Sequence, residues 1–289
     1  MNIGFIGAGK VGCTLGRYFA EGGLHVAGYY SIPGNTSLEA AHFTNTHSFD
    51  SAEDLIKECD CVFVTVPDGL IQDVWNDIRR FDLEDKIICH CSGAMTARDA
   101  FDGIGETGAS GYSVHPLFAV SDRYSTYLEM PGVFFTIEGD AGRMDEMTGL
   151  IGSLGNPVRT ISGEDKTMYH CAAAAASNLI CGVLDMSFDL MERCGFSEKD
   201  AREAMGALIR GNVEHVLDVG TQEGLTGPVE RNDTGTVGKH LDCLEQADAM
   251  QAREIYRLIS CRLTDMAANR HNDRDYSQMR QLLGGRKQG

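Results

Sequence analysis

The sequence predicts an α/β fold: a doubly wound parallel sheet followed by an all-α C-terminal domain. Three observations carry this reading. An apolar run, Ile3, Phe5 and Ile6, passes directly into G-x-G-x-x-G at Gly7, Gly9 and Gly12. Short apolar segments then alternate with helical ones as far as Ile161, the pattern of a parallel sheet. After Ser162 no strand pattern recurs, and helical periodicity runs to the C-terminus. The 289 residues therefore read as two domains, 1–161 and 162–289.

The first strand starts almost at residue 1. Gly7 permits a tight strand-to-helix turn, Gly9 lets backbone approach a pyrophosphate, and Gly12 lets the following helix (11–21) pack closely on the sheet. That helix points free N–H groups and its positive dipole end at a phosphate. Gly7, Ala8, Gly9, Lys10, Val11 and Gly12 are thus the candidate dinucleotide turn, the Rossmann arrangement. The plainer reading is a glycine turn that packs helix on strand and binds nothing.

The second strand is expected over 24–30. In NAD enzymes a carboxylate near its end binds the ribose 2′-hydroxyl. Here Tyr30-Ser31-Ile32-Pro33-Gly34-Asn35 offers none, while Ser31 and Asn35 could bond a 2′-phosphate. The cofactor read from this is NADP, with NAD as the alternative. A short helix (54–58) precedes a nearly all-apolar strand, 59–68, ending in Val66-Pro67-Asp68 where ligands bind in open sheets. A helix (70–80), a strand (86–90) and the loop 91–95 with Ser92 and Gly93 follow. Strands are expected at 111–116, 133–137 and 157–161, with a helix ending at 150–154 before the last.

In the second half, Ser162 and Asp165 resemble a capping box for one long helix reaching about Cys194, with Gly195 as its stop. Ser197 and Asp200 cap another that runs to about Val219. Residues 221–238 read as a connection. A helical region spans 236–270 with Leu241, Leu244, Ala247, Ile255, Leu258 and Leu263 at helical spacing, and 280–289 reads as a polar, frayed tail.

A net charge of −17 opposes nonspecific binding to nucleic acid or anionic membranes. No apolar run approaches the ~20 residues needed to span a bilayer, and no signal-type segment opens the chain, so a cytoplasmic location is expected. The ten cysteines lack zinc spacing and read as reduced core thiols, with Cys59/Cys61 and Cys89/Cys91 each on one strand face. No metal is expected.

A nicotinamide enzyme needs a proton donor or acceptor near the carbon that exchanges hydride. Lys166 and His170 are i, i+4 neighbours, and Ser177 lies almost three turns from Lys166, so all three share a helix face, with Asn178 to one side. A solvated stripe is the competing reading. The helix dipole would lower the Lys166 pKa while Glu164 and Asp165 would raise it. His115, before Pro116, should project at the sheet's carboxyl edge or serve as a structural histidine; His90 reads as structural. In the loop 225–234, Thr226 and Gly227 are candidate substrate contacts, and Arg231 could clamp a carboxylate. Asp233 could orient Arg231, Lys166 or His240, or simply cap the next helix.

IGAGKVG (6–12), VPD (66–68), HCSGAM (90–95), SVHPLFA (113–119), DKTMYHCAAAAASN (165–178) and LTGPVERNDTGTVGKHL (225–241) together carry a resemblance. The chain resembles Rossmann-like NAD(P) oxidoreductases with an all-helical C-terminal domain of unknown function. These are relatives of the ketopantoate reductase, β-hydroxyacid dehydrogenase and pyrroline-5-carboxylate reductase superfamily. The resemblance implies NADP-dependent reduction of a small, ketopantoate-like 2-oxo acid by hydride transfer in an interdomain cleft. It also implies a homodimer through the helical domains. In that superfamily a lysine followed four residues later by Asn handles the substrate carbonyl. Here Lys166 keeps the lysine and His170 stands where Asn is usual, leaving the proton donor open between them. An imine reductase, a hydroxy-acid dehydrogenase, and a non-catalytic NAD(P)-binding sensor or partner-binding protein remain the alternatives.

Overall fold

The computed structural model describes residues 1–32 and 35–284. Pro33 and Gly34, from the loop read as facing a 2′-phosphate, and tail residues 285–289 lie outside the described residues. The chain forms two compact units, Met1–Leu179 and Ile180–Gly289.

The first unit is built on an eight-stranded sheet in the order β3-β2-β1-β4-β5-β6-β7-β8. Its strands are β1 Asn2–Ile6, β2 His25–Tyr30, β3 His47–Ser48, β4 Cys61–Val64, β5 Ile87–His90, β6 Ser110–Pro116, β7 Phe135–Gly139 and β8 Val158–Thr160. Its helices are α1 Lys10–Glu21, α2 Asn35–Thr44, α3 Ala52–Glu58, α4 Ile71–Ile78, α5 Ala97–Ala100, α6 Met144–Gly152 and α7 Lys166–Ala176. Alternate side chains of the central strands enter two cores. Phe5, Phe63, Tyr29 and Phe19 pack on one face, Ile6, Val62, Ile88 and Trp75 on the other. Burial on both faces explains the near-continuous apolar strands.

One pair departs from the wholly parallel sheet expected: β7 runs antiparallel to β6. The connection between them holds a single short 3-10 turn, Thr126–Glu129, and a parallel return would need a crossover helix. Cys59 and Cys61 also part company. Cys59 ends α3 and joins one core, while Cys61 opens β4 and faces the other, its Sγ 3.9 Å from that of Cys89.

The long helix expected over 162–194 is two. α7 ends at Ser177, whose backbone (φ −125°, ψ −77°) breaks the helix, and α8 follows as Asn178–Arg193. α7 accordingly belongs with the sheet, and the compact units divide after Leu179 rather than after Ile161. By length and mean hydropathy (1.4) alone, Lys166–Arg193 passes as a stretch able to cross a membrane, and the apolar 18-residue window within it is not buried.

The second unit adds α9 Glu198–Val219, α10 Thr221–Gly224, α11 Thr234–Gln246, α12 Met250–Arg270 and α13 Ser277–Leu282. Ser197 caps α9 by accepting from the Asp200 N–H, as its spacing predicts. The region 236–270 is interrupted where Asp248 takes φ 52°, and Leu258 is half exposed rather than in the core. The tail is ordered through Leu283: Tyr276, Met279 and Leu283 are buried against Val237 and Leu241, and Arg280 pairs with Asp265. Of these apolar side chains, Leu283 alone falls within 280–289, where polar neighbours in sequence hid it.

Candidate functional site

β1, β4, β5 and β6 are mutually parallel, so their C-terminal ends share one edge of the sheet. At the end of β1, Gly7 adopts φ +104°, which the turn into α1 requires. Thr65, just past β4, donates from Oγ1 to the Gly7 carbonyl at 2.7 Å. Gly12 packs against that bond: a Cβ there would lie 2.4 Å from the Gly7 carbonyl oxygen and 2.5 Å from Thr65 Oγ1. A Cβ on Gly9 would meet nothing within 4 Å. Gly12 therefore closes the turn, while Gly9 leaves its backbone open to a ligand at the N-terminus of α1. Gly9 and Lys10 are exposed, Val11 is half-buried and Ala8 is buried. Open backbone and free N–H groups at a helix start fit a pyrophosphate.

Of the other residues read as cofactor contacts, Ser31 is buried with its Oγ 2.5 Å from Thr36 Oγ1. Val66 and Pro67 lead from β4 into the turn at Asp68. Ser92 donates to Asp68 Oδ2 at 2.6 Å and accepts from the N–H groups of Ala94 and Met95. It thus ties the loop after β5 to the loop after β4.

Lys166 opens α7 and is 0% exposed. Its amine donates to Ser113 Oγ, and the Ser113 hydroxyl gives its proton to the Ser92 carbonyl at 3.1 Å. Burial lowers the Lys166 pKa to about 8, opposed by the Glu138 carboxylate and Cys91. The solvated-stripe reading fails for this residue. Two positions along β6 from Ser113, His115 places Nδ1 2.7 Å from the Tyr169 hydroxyl, with the rings edge to face at 5.6 Å. Burial, then the Lys166 and His170 charges, depress His115 to about 4. Gly93 makes room for both imidazoles: a Cβ there would lie 2.8 Å from His115 Nε2 and 2.8 Å from His170 Cδ2.

His170 is exposed, yet its ring reaches the same spot. Ser177, where α7 ends, donates to the Ala173 carbonyl at 2.8 Å and to Asn178 Oδ1 at 3.1 Å. Thr226, Gly227, Arg231 and Asp233 belong to the second unit. Asp233 is the N-cap of α11, accepting from the Thr236 N–H and hydroxyl at 2.9 and 2.7 Å. That carboxylate is therefore occupied by capping, and His240 pairs instead with Tyr256 at 2.8 Å. Arg231 is exposed. His90 is structural, as its apolar strand predicts: it is wholly buried, accepts from the Ser92 N–H, and is lowered to about 3 by burial.

Sequence reasoning passed over Thr65, Ser113, Glu138 and Tyr169. Ser113 and His115 alternate onto one strand face, and Tyr169 is one turn from Lys166, so spacing carried a signal for two of them. Glu138 within an apolar strand is a buried carboxylate; its Oε2 accepts from the Ala97 N–H at 2.8 Å.

Residues 1–116 match the Rossmann-like domain, and residues 133–263 match the domain of unknown function DUF2520. The chain carries a Rossmann-like domain followed by a DUF2520 domain. Ser113 and His115 thus come from the Rossmann-like match, and Lys166, Tyr169 and His170 from the DUF2520 match. No protein of curated function matches the sequence. Among solved structures, protein TM1727 from Thermotoga maritima is similar at 24% identity and TM-score 0.74, over 93% of this chain and 99% of that one. Plasmodium falciparum pyrroline carboxylate reductase with NADP bound aligns at 17% identity and TM-score 0.59, over 92% and 98%. A reductive aminase from Aspergillus terreus, in complex with NADPH and ethyl-5-oxohexanoate, aligns at 13% identity and TM-score 0.64, over 98% of each chain. These likenesses establish the fold.

Proposed function

We propose that the protein is an NADP-dependent oxidoreductase that reduces a small 2-oxo acid, with ketopantoate the first compound to test. The observation that carries this reading is the buried Lys166 amine at the sheet edge where the Gly9 turn stands open. The residues present fit the cofactor: a glycine cradle at a helix start, and no carboxylate between Tyr30 and Asn35 to repel a 2′-phosphate. Two of the structural neighbours hold NADP or NADPH. Bound there, NADPH supplies a hydride.

The chain's own residues supply the rest. Lys166, with a pKa near working pH, holds the proton that a nascent alkoxide needs. Ser113 keeps that amine in place. Gly7 to Gly12 hold the phosphates, and Asp68 with Ser92 fixes the loop between the two groups of residues. His170 is the competing proton donor, since its exposed ring reaches Gly93. A cyclic imine is the second substrate reading, favoured by the pyrroline carboxylate reductase and reductive aminase neighbours.

We further propose a homodimer through the helical region. Leu179, Ile180, Leu208 and Leu217 are exposed, and large apolar side chains left in water suit an interface. Asp185, Asp189 and Glu192 on α8 suit a protein partner in water rather than a bilayer. Light scattering on the purified protein tests this, with a monomer at micromolar concentration as the contrary result.

NADPH consumption with 2-oxo acids and cyclic imines tests the activity. Turnover of an oxo acid that disappears in Lys166→Ala supports the reading. NADPH binding with no turnover of either class would make the protein a cofactor-binding module.

A further inference from the structure

The pairing of Tyr169 with His115 reaches beyond the lysine, and its catalytic meaning rests on the reductase reading. His115 lies at the C-terminal end of β6 and is half-buried. Its Nδ1 is engaged by the Tyr169 hydroxyl at 2.7 Å, while its Nε2 has no hydrogen-bond partner among the described residues and lies beside Gly93, where a Cβ would be 2.8 Å away.

The direction of that hydrogen bond sets the chemistry. Burial raises the Tyr169 pKa, against a lowering contribution from Thr136, so the phenol keeps its proton at neutral pH. A protonated phenol donates well, and His115 Nδ1 is an acceptor within reach. Donation by Tyr169 forces the ring proton onto Nε2. The charged and titratable groups facing the ring are Lys166 and His170 on α7, Asp68 past β4 and the buried His90 on β5. Lys166 and His170 disfavour a second proton on the ring, and Asp68 favours one more weakly.

We propose that Tyr169 is a positioning residue that fixes His115 as an uncharged Nε2–H donor to the substrate's carbonyl oxygen. Such a donor, beside the Lys166 ammonium, stabilises an oxygen that gains negative charge as hydride arrives. A cationic iminium gains nothing from it and is repelled by the lysine. The arrangement therefore selects C=O over protonated C=N.

Ring nitrogen NMR of His115 in the cofactor-free protein reads the tautomer directly. The wild type should hold the Nε2–H form throughout roughly pH 6 to 9, and Tyr169→Phe should give a mixture of both tautomers with the fold retained. An Nδ1–H ring in the wild type, or an unchanged ring in Tyr169→Phe, overturns the proposal. In kinetics, Tyr169→Phe should lower kcat/KM for the oxo acid by roughly ten- to a hundredfold, with NADPH affinity unchanged. His115→Gln, which keeps an N–H, should retain more of that activity than His115→Leu. Preference of the wild type for a cyclic imine over the oxo acid overturns the selectivity claim. If the wild type turns over neither, the reductase reading falls, and the tautomer measurement alone decides the role of Tyr169.

Discussion

The amine of Lys166 donates to the hydroxyl of Ser113, a residue 53 positions earlier on β6. Because that hydroxyl spends its own proton on the Ser92 carbonyl, it can only accept from the lysine. A single serine thus joins the first turn of α7 to the loop after β5. Lys166→Ala should lower turnover by roughly two to four orders of magnitude. NADPH binding, followed by fluorescence titration, should survive. Undiminished turnover would remove Lys166 from the mechanism.

The lysine also leaves a signature in pH. Its folded-state pKa of about 8 lies below the ordinary 10.5, so between those values the unfolded chain binds more protons than the folded one. Stability should therefore rise with pH across this window, by up to about 3 kcal/mol. Lys166→Met, which keeps the volume and removes the charge, should abolish the slope in denaturant titrations. Activity should move oppositely, with kcat/KM falling above about pH 8 as the ammonium is lost.

Gly9 and Gly12 should respond differently to the same added methyl. Gly12→Ala forces a Cβ onto backbone and should cost about 1–3 kcal/mol. Gly9→Ala enters open space from an extended backbone (φ −74°, ψ −162°), so its melting temperature should hold. Its NADPH affinity should nevertheless fall by about tenfold or more, because the methyl occupies the approach of the phosphate.

Asp233→Ala should cost about 1 kcal/mol through loss of the α11 cap. Thermal unfolding measures it, and Asp233→Ser should recover most of the loss.

Leu283→Ala should destabilise by about 2–5 kcal/mol. The side chain is wholly buried in the second unit's core, although its polar neighbours in sequence suggest a frayed tail. An unchanged denaturation midpoint would show that the C-terminal helix does not pack.

The local alphabet of the chain was enough for the parallel strands of the sheet and for the glycine turn after β1. Apolar strands buried on both faces leave unbroken runs, and a backbone that must reach φ +104° or meet a carbonyl at 2.4 Å leaves a glycine. The cap at Ser197 was legible for the same reason, since it satisfies its helix within three residues. Lys166 was found by its spacing to His170, but its burial was not, because spacing along one helix says nothing about what the helix packs against. The helix break at Ser177, the antiparallel β7 and the pairings Ser113–Lys166 and His115–Tyr169 depend on contacts more than fifty residues apart or on how one element meets another. Asp233 shows the same limit from the other side: its type suited a cap and a partner alike, and only the folded chain shows that it accepts from the Thr236 N–H at the start of α11. Composition and periodicity reflect each residue's own conformational and solvation demands; which side chains share a site is settled by the packing of distant segments.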